Sequence, residues 1–371
     1  MRIAILAAGF SPLPPIAQGG TEWIAYYQAK GLAEKGHEVM LIAAKGTAEN
    51  FKDTSVRVLE IGEGAVEDKS GLVVDPKTME GSRILRRETI CLAQTIQVLI
   101  DQKDSYDIIL NNMRGEAIFL PIAKMLQKPF VNVLHLNVFA ELAAIFSFYK
   151  TCLIPISDSQ KKAFPDLNFL PTVYNGVDVE KFVFSETQGE YLLMVGTIGR
   201  HKNQQDAITV AKMLGMKLIL AGKVRDKDYF EELKKDIDGD QIRWVGEVDF
   251  REKVDLYQHA KAFLFTIQWE EPFGLVMIEA MACGTPVIAY NRGSVPEIIK
   301  DGVTGFIIDP DDEDRPGKGG WVIKQKGIAG LTEAIKRIGE IDRKACREHV
   351  EKNFTVEQMV DEYERVYKKL L

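Results

Sequence analysis

Two glutamates eight positions apart, Glu271 and Glu279, frame the most informative stretch of this chain, WEEPFGLVMIEAMACGTPVIAY from Trp269 to Tyr290. The stretch reads as an acidic loop, a helix from Pro272 to Cys283, a Gly284 stop and a strand from Pro286 to Tyr290. Pro272 suits a first helical turn, where its missing N–H costs nothing. The amides of Gly274, Leu275 and Val276 would then face whatever lies above the helix start, which makes a natural diphosphate site. Glu271 alone is explained well enough by dipole complementarity at a helix N-terminus. Glu279 is flanked by apolar residues, so a core-facing carboxylate there needs polar partners, and ribose hydroxyls would supply them. A second candidate anion site is Gly19-Gly20-Thr21-Glu22, where glycines just before a helix let backbone amides approach a phosphate. Those glycines fall too late after the first strand for a GxGxxG fingerprint, and a plain loop with Thr21 as N-cap explains them equally well.

The elements that must position these residues come in two series. Apolar runs at Arg2–Ala7, Glu38–Ala43, Ile108–Asn111, Phe130–Leu134 and Cys152–Ile156 are separated by helix-length stretches, the first being Glu22–Lys35 with Gly36 as its stop. This implies a parallel sheet covered on both faces. The pattern restarts at Tyr191–Val195 and continues through strands at Lys217–Ala221, Ile242–Val245, Ala262–Thr266 and Pro286–Tyr290. Its helices are expected at Asn203–Met213, Tyr229–Lys235 and Lys253–His259, with a short one after Ser294. The turn-rich Val173–Asp178 suits a crossover, and Thr355–Leu371 reads as one amphipathic helix. The expected division is therefore 1–173 plus 355–371 as one α/β domain and 174–354 as the other. Two such domains facing a central cleft would bring the carboxyl ends of both sheets to one ligand.

Composition narrows the function classes. With 371 residues, 46% hydrophobic and 27% charged, the chain suits two globular domains. A net charge of -7 argues against a broad phosphate-neutralising face, so no nucleic-acid partner is expected. The four cysteines show no CxxC and no histidine at ligand spacing, so no metal site is expected. Asp309-Pro-Asp311 spells DxD but sits in an acidic turn, where a solvated loop is the better reading. There is no signal-peptide pattern and no apolar run long enough for a transmembrane segment. The expected location is the cytoplasm, peripheral to a membrane at most. The basic patch Arg83, Arg86, Arg87 reads first as a solvated helix face.

Glu271-x7-Glu279 within EPFGLVMIEAMACGTPVIA resembles the donor-binding signature of the retaining glycosyltransferases of family 4, two-domain enzymes of the GT-B fold. GGTE at Gly19–Glu22, ISDSQK at Ile156–Lys161, NGVD at Asn175–Asp178 and RGSVPEII at Arg292–Ile299 extend the resemblance over most of the chain, nearest to the avilamycin-type branch. The resemblance implies two Rossmann-like domains and transfer of a hexose or N-acetylhexosamine from a nucleotide-diphosphate sugar, UDP for preference, without cofactor or metal. It implies that Glu279 binds the ribose and Glu271 the transferred sugar. Gly274, Leu275 and Val276 would hold the diphosphate together with Gly19 and Gly20, and Phe273 would be a further donor-binding residue. Lys202 matches the lysine that neutralises the leaving diphosphate, and His135 a histidine near the reacting sugar. The family commonly has Gly-Arg before that lysine. Here Thr197 follows Gly196, and two readings stand: Arg200 takes over, which is preferred, or the phosphate site is weakened. The acceptor, whether saccharide, lipid-linked or small molecule, has no motif. Its surface would fall on Gly62–Met79 and Asn137–Lys150. The alternatives are a UDP-sugar 2-epimerase of the same fold and a sugar-nucleotide-binding protein without activity.

Overall fold

The computed structural model describes residues 1–7, 9–15, 19–62, 79–311 and 320–371, and they fall into two units. The first holds the described residues up to 175 together with those from 356 onward. Its strands are β1 (Arg2–Leu6), β2 (Glu38–Ala44), β3 (Arg57–Ile61), β4 (Ile108–Asn111), β5 (Phe130–Leu134) and β6 (Cys152–Pro155). All pair in parallel, in the order β3-β2-β1-β4-β5-β6. Strands β4 and β5 are buried along their whole length, as strands of a doubly covered parallel sheet must be. The helices of this unit are α1 (Gly20–Glu34), α2 (Met79–Asp101), α3 (Phe119–Leu126) and α4 (Ala140–Tyr149).

The second unit repeats the plan with β7 (Tyr191–Val195), β8 (Lys217–Ala221), β9 (Ile242–Gly246), β10 (Ala260–Phe265), β11 (Val287–Tyr290) and β12 (Gly305–Ile308). Their order, β12-β11-β10-β7-β8-β9, is that of the first sheet with β7 in the place of β1. Its helices are α5 (Gln204–Leu214), α6 (Lys227–Lys234), α7 (Phe250–His259), α8 (Leu275–Ala282), α9 (Val295–Ile298), α10 (Gly327–Arg337) and α11 (Arg343–Asn353). The last helix, α12 (Val356–Tyr367), belongs to the first unit and lies along α1. A Cβ on Gly31 would stand 2.6 Å from Val360 Cγ2, so only glycine lets these helices approach so closely. An ion pair of Lys35 with Asp361 and a hydrogen bond between His37 Nε2 and Glu364 Oε1 fasten the far end of the contact.

Two helix starts and two strands differ from the sequence reading for identifiable reasons. Helix α8 begins at Leu275, three residues after Pro272, because Gly274 adopts a left-handed φ of 83° and turns the chain before the helix can start. Helix α7 begins at Phe250 because Asp249 and Glu252 form a capping box. The edge strands β3 and β12 are additional to the expected ones.

Candidate active site

In a sheet of this order the crevice for a ligand opens where the strand order reverses, outside the carboxyl ends of β7 and β10. The loops leaving those two strands carry Lys202 and Glu271. Lys202 lies in a short 3-10 turn, Arg200–Lys202, and its ammonium stands 3.2 Å from Glu271 Oε2. The indole N–H of Trp269 donates to the same oxygen at 3.0 Å, and the ammonium sits over the Trp269 and Phe265 rings at 5.4 and 5.5 Å. Two donors and two aromatic faces thus hold a half-buried cation against a carboxylate that is only 9% exposed. The two loops are tied directly, since Thr266 Oγ1 donates to the Asn203 carbonyl at 2.8 Å and the Gln268 amide to the His201 carbonyl at 2.9 Å.

The RGS stretch after β11 supports Glu271 from behind. The Ser294 amide donates to the Glu271 carbonyl at 3.0 Å, and the Gly293 amide to Glu270 Oε2 at 2.8 Å. A Cβ on Gly293 would lie 2.2 Å from the Glu271 carbonyl oxygen, so a side chain there would push the acidic loop away. Beyond Glu271, Phe273 is buried, and Gly274 is the N-cap of α8 with no side-chain cap. The first turn, with Leu275 and Val276, therefore starts with backbone donors in place of a capping side chain.

Glu279 lies in α8 and is 9% exposed. The expectation that ribose must supply its partners needs correction, because the protein supplies two. Lys253 Nζ donates to Oε1 at 2.9 Å and the Tyr257 hydroxyl to Oε2 at 3.0 Å, both from α7. Burial, and then the charge of Glu279, hold the Tyr257 phenol far above its ordinary pKa, so it stays a donor. Each carboxylate oxygen keeps a lone pair for a further donor. Lys253, Tyr257 and Trp269 escaped the sequence reading. Only Trp269, two residues before Glu271, had a local signal.

Arg200 is placed against α6. Its guanidinium bonds Glu232, approaches Asp226 at 4.0 Å and lies over the Tyr229 ring at 5.2 Å, with 56% of the side chain exposed. Thr197 directs its carbonyl to Gln204 Nε2 at 3.1 Å, which braces the loop. His201 packs edge-on to Trp269, and burial, with Lys202 and Arg225 nearby, pushes its pKa down to about 4. Asp309 accepts from Asn291 Nδ2 at 2.9 Å and Trp321 Nε1 at 3.0 Å.

The first unit carries the remaining candidates. Gly19 is the N-cap of α1 without a side-chain cap, and Gly20 and Thr21 already lie in the helix, so Thr21 is not the cap. His135 follows β5, with its Nε2 2.8 Å from Asn112 Oδ1. Burial, and secondarily Arg114, lower its pKa to about 4. Most of Gly62–Met79 lies outside the described residues, whereas Asn137–Lys150 contains α4 and exposes Phe139 and Phe148. The cysteines are free thiols, three of them buried. No helix among the described residues is long and apolar enough to cross a membrane.

Comparison with known proteins bears on both units. Residues 178–318 match the family model of glycosyl transferases group 1. A glycogen synthase of Mycobacterium tuberculosis is 29% identical over 199 residues, 51% of this chain and 44% of the relative. The chain thus spans about half the length of that curated relative. The Anabaena protein HepE, solved with UDP and glucose, superposes with a TM-score of 0.72 at 17% identity over 100% of both chains. AviGT4, a glycosyltransferase involved in avilamycin A biosynthesis, superposes with a TM-score of 0.66 at 19% identity, covering 99% of this chain and 97% of its own. The fold of the whole chain is GT-B.

Proposed function

We propose that the chain is a retaining glycosyltransferase of family 4, in or near the avilamycin-type branch, that takes a hexose or N-acetylhexosamine from a UDP-sugar without a metal. The observation that carries this reading is the Lys202–Glu271 pair across the β7/β10 switch point, beside the glycine-capped start of α8. A departing nucleotide diphosphate gains negative charge as the sugar becomes cationic, so the site needs a cation and helix amides at one end and a carboxylate at the other. Lys202, with the amides from Gly274 to Val276, takes the first task, and Glu271 the second. Phe273, just before this turn, is buried against Phe354. Glu279, oriented by Lys253 and Tyr257, accepts from the ribose hydroxyls. In the first unit, Gly19 and Gly20 at the start of α1 are the proposed diphosphate contacts and His135 the proposed sugar contact. Arg200, engaged by Glu232 and Asp226, has no part in the phosphate site in this reading.

The same-face course of a retaining reaction lets the departing phosphate oxygen receive the acceptor proton, so no protein base is required. A screen of sugar nucleotides by thermal shift, followed by chromatography of products with and without acceptor candidates, tests the proposal. Transfer gives free nucleotide diphosphate and a glycosylated acceptor. A new sugar nucleotide with no free diphosphate would replace it with an epimerase, and tight nucleotide binding with neither product would leave a binding protein.

A further inference from the structure

We infer that Asn112 and Gln28 are positioning residues that fix the tautomer of His135 and leave its Nδ1 as a hydrogen-bond acceptor for a sugar hydroxyl. The inference rests on the proposed placement of His135 beside the reacting sugar. His135 Nε2 lies 2.8 Å from Asn112 Oδ1, and Asn112 Nδ2 donates to Gln28 Oε1 at 2.8 Å. Gln28 is fully buried and Asn112 is 3% exposed, so bulk water does not compete for the bond between them, and Gln28 Nε2 makes no hydrogen bond among the described residues. An amide that gives its NH2 to Gln28 has only its oxygen left for the imidazole. The imidazole must then carry its proton on Nε2, which leaves the Nδ1 lone pair unprotonated. Nδ1 makes no hydrogen bond among the described residues, and His135 as a whole is partly buried.

The backbone around the ring is held as firmly. Gln160, in the short turn after β6, donates through Nε2 to the carbonyls of Leu134 at 2.8 Å and Leu136 at 3.3 Å, one on each side of His135. Its Oε1 accepts from the Ile156 amide at 2.8 Å, which anchors the clamp to the end of β6. A ring with a fixed backbone, a fixed orientation and a fixed tautomer is preorganised for one kind of partner, an O–H donor. In this arrangement His135 neither donates from Nδ1 nor serves as a general acid.

Long-range 1H–15N correlation spectra of the imidazoles of the full chain, assigned with His135→Gln, test this directly. The wild type should show His135 protonated on Nε2 from pH 6 to 8. Asn112→Leu and Gln28→Met should each convert that signal to a tautomer mixture and, in the transfer assay, lower kcat about tenfold or more with donor KM within about twofold. Gln28→Met touches neither His135 nor substrate and guards against a folding defect at Asn112. A wild-type imidazole protonated on Nδ1 would mean that both amides point the other way, and it would overturn the inference. An unchanged tautomer and kcat in both variants would overturn it as well. If His135→Gln itself leaves transfer intact, the placement of His135 at the sugar fails instead, whatever the spectra show.

Discussion

Removal of Lys202 and of Arg200 separates two accounts of how a diphosphate is neutralised here. The sequence, with Thr197 where an arginine is usual, suggests that Arg200 stands in. The structure puts the Arg200 guanidinium on Glu232 and Asp226 of the neighbouring turn and helix, and the Lys202 ammonium 3.2 Å from Glu271. A unit charge about 4 Å from a phosphate oxygen contributes roughly 4 kcal/mol at an effective dielectric near 20. That corresponds to about 10³-fold in rate if the charge acts only as the phosphate departs, and losses on removing one such stabilising group run on the order of 10²- to 10³-fold. Lys202→Ala should therefore lower kcat by at least about 10²-fold in an assay of nucleotide release at saturating donor. Arg200→Ala removes a largely exposed pair and should stay within about threefold. Melting temperatures of both variants, taken in parallel, exclude unfolding as the cause. Equal losses from the two, or a silent Lys202→Ala, would refute the assignment, and a gain from Thr197→Arg would show that the phosphate site lacks a cation.

Further outcomes follow from the same contacts. Glu271→Gln should lower kcat, because a group at the reacting sugar acts in the transition state, whereas Glu279→Gln should mainly raise donor KM; equal small effects in steady-state kinetics would make both carboxylates structural. Arg343 is buried and donates to the carbonyls of Ser185, Ala260 and Gln258 and to Thr285 Oγ1, so Arg343→Met should cost about 3 kcal/mol or more of stability in denaturant titration, with the donor site intact in any folded fraction. His201 has a folded pKa of about 4 against an ordinary 6.5, so its contribution is fully present above pH 6.5 and is lost as pH falls toward 4. Between those values the melting temperature of the wild type should fall more steeply than that of His201→Gln, and parallel curves would contradict this.

The parts of the fold legible in the sequence were those governed by short-range pattern. Ile108–Asn111, Phe130–Leu134, Tyr191–Val195 and Lys217–Ala221 are predominantly apolar because both faces of each sheet are covered, and their ends coincide with the observed strands. Strand β3, RVLEI, sits at a sheet edge with only Ile61 buried, and β12, GFII, is also an edge strand and begins on a glycine, so neither produces a long apolar run. The start of α8 was misread because Pro272 is compatible with a first turn, while the left-handed Gly274 that displaces the start is a conformational fact the letters do not carry. At the site, Glu271 and Glu279 stand out by spacing. Lys253 and Tyr257 do not, because their sequence separations of 26 and 22 from Glu279 are bridged only when α7 packs beside α8. The Gln28–Asn112 bond spans 84 residues and is equally invisible in one dimension.

The most direct test of the central claim is nucleotide release from UDP-, GDP- and ADP-sugars by the purified chain in excess chelator, with a panel of acceptors and with Lys202→Ala as the control. The account predicts that one sugar nucleotide, with UDP as the base, is turned over at the same rate with and without chelator, and that Lys202→Ala abolishes at least about 99% of that rate. Turnover that stops in chelator and returns with Mg²⁺, or that survives intact in Lys202→Ala, would contradict a metal-independent transferase built on the Lys202–Glu271 pair.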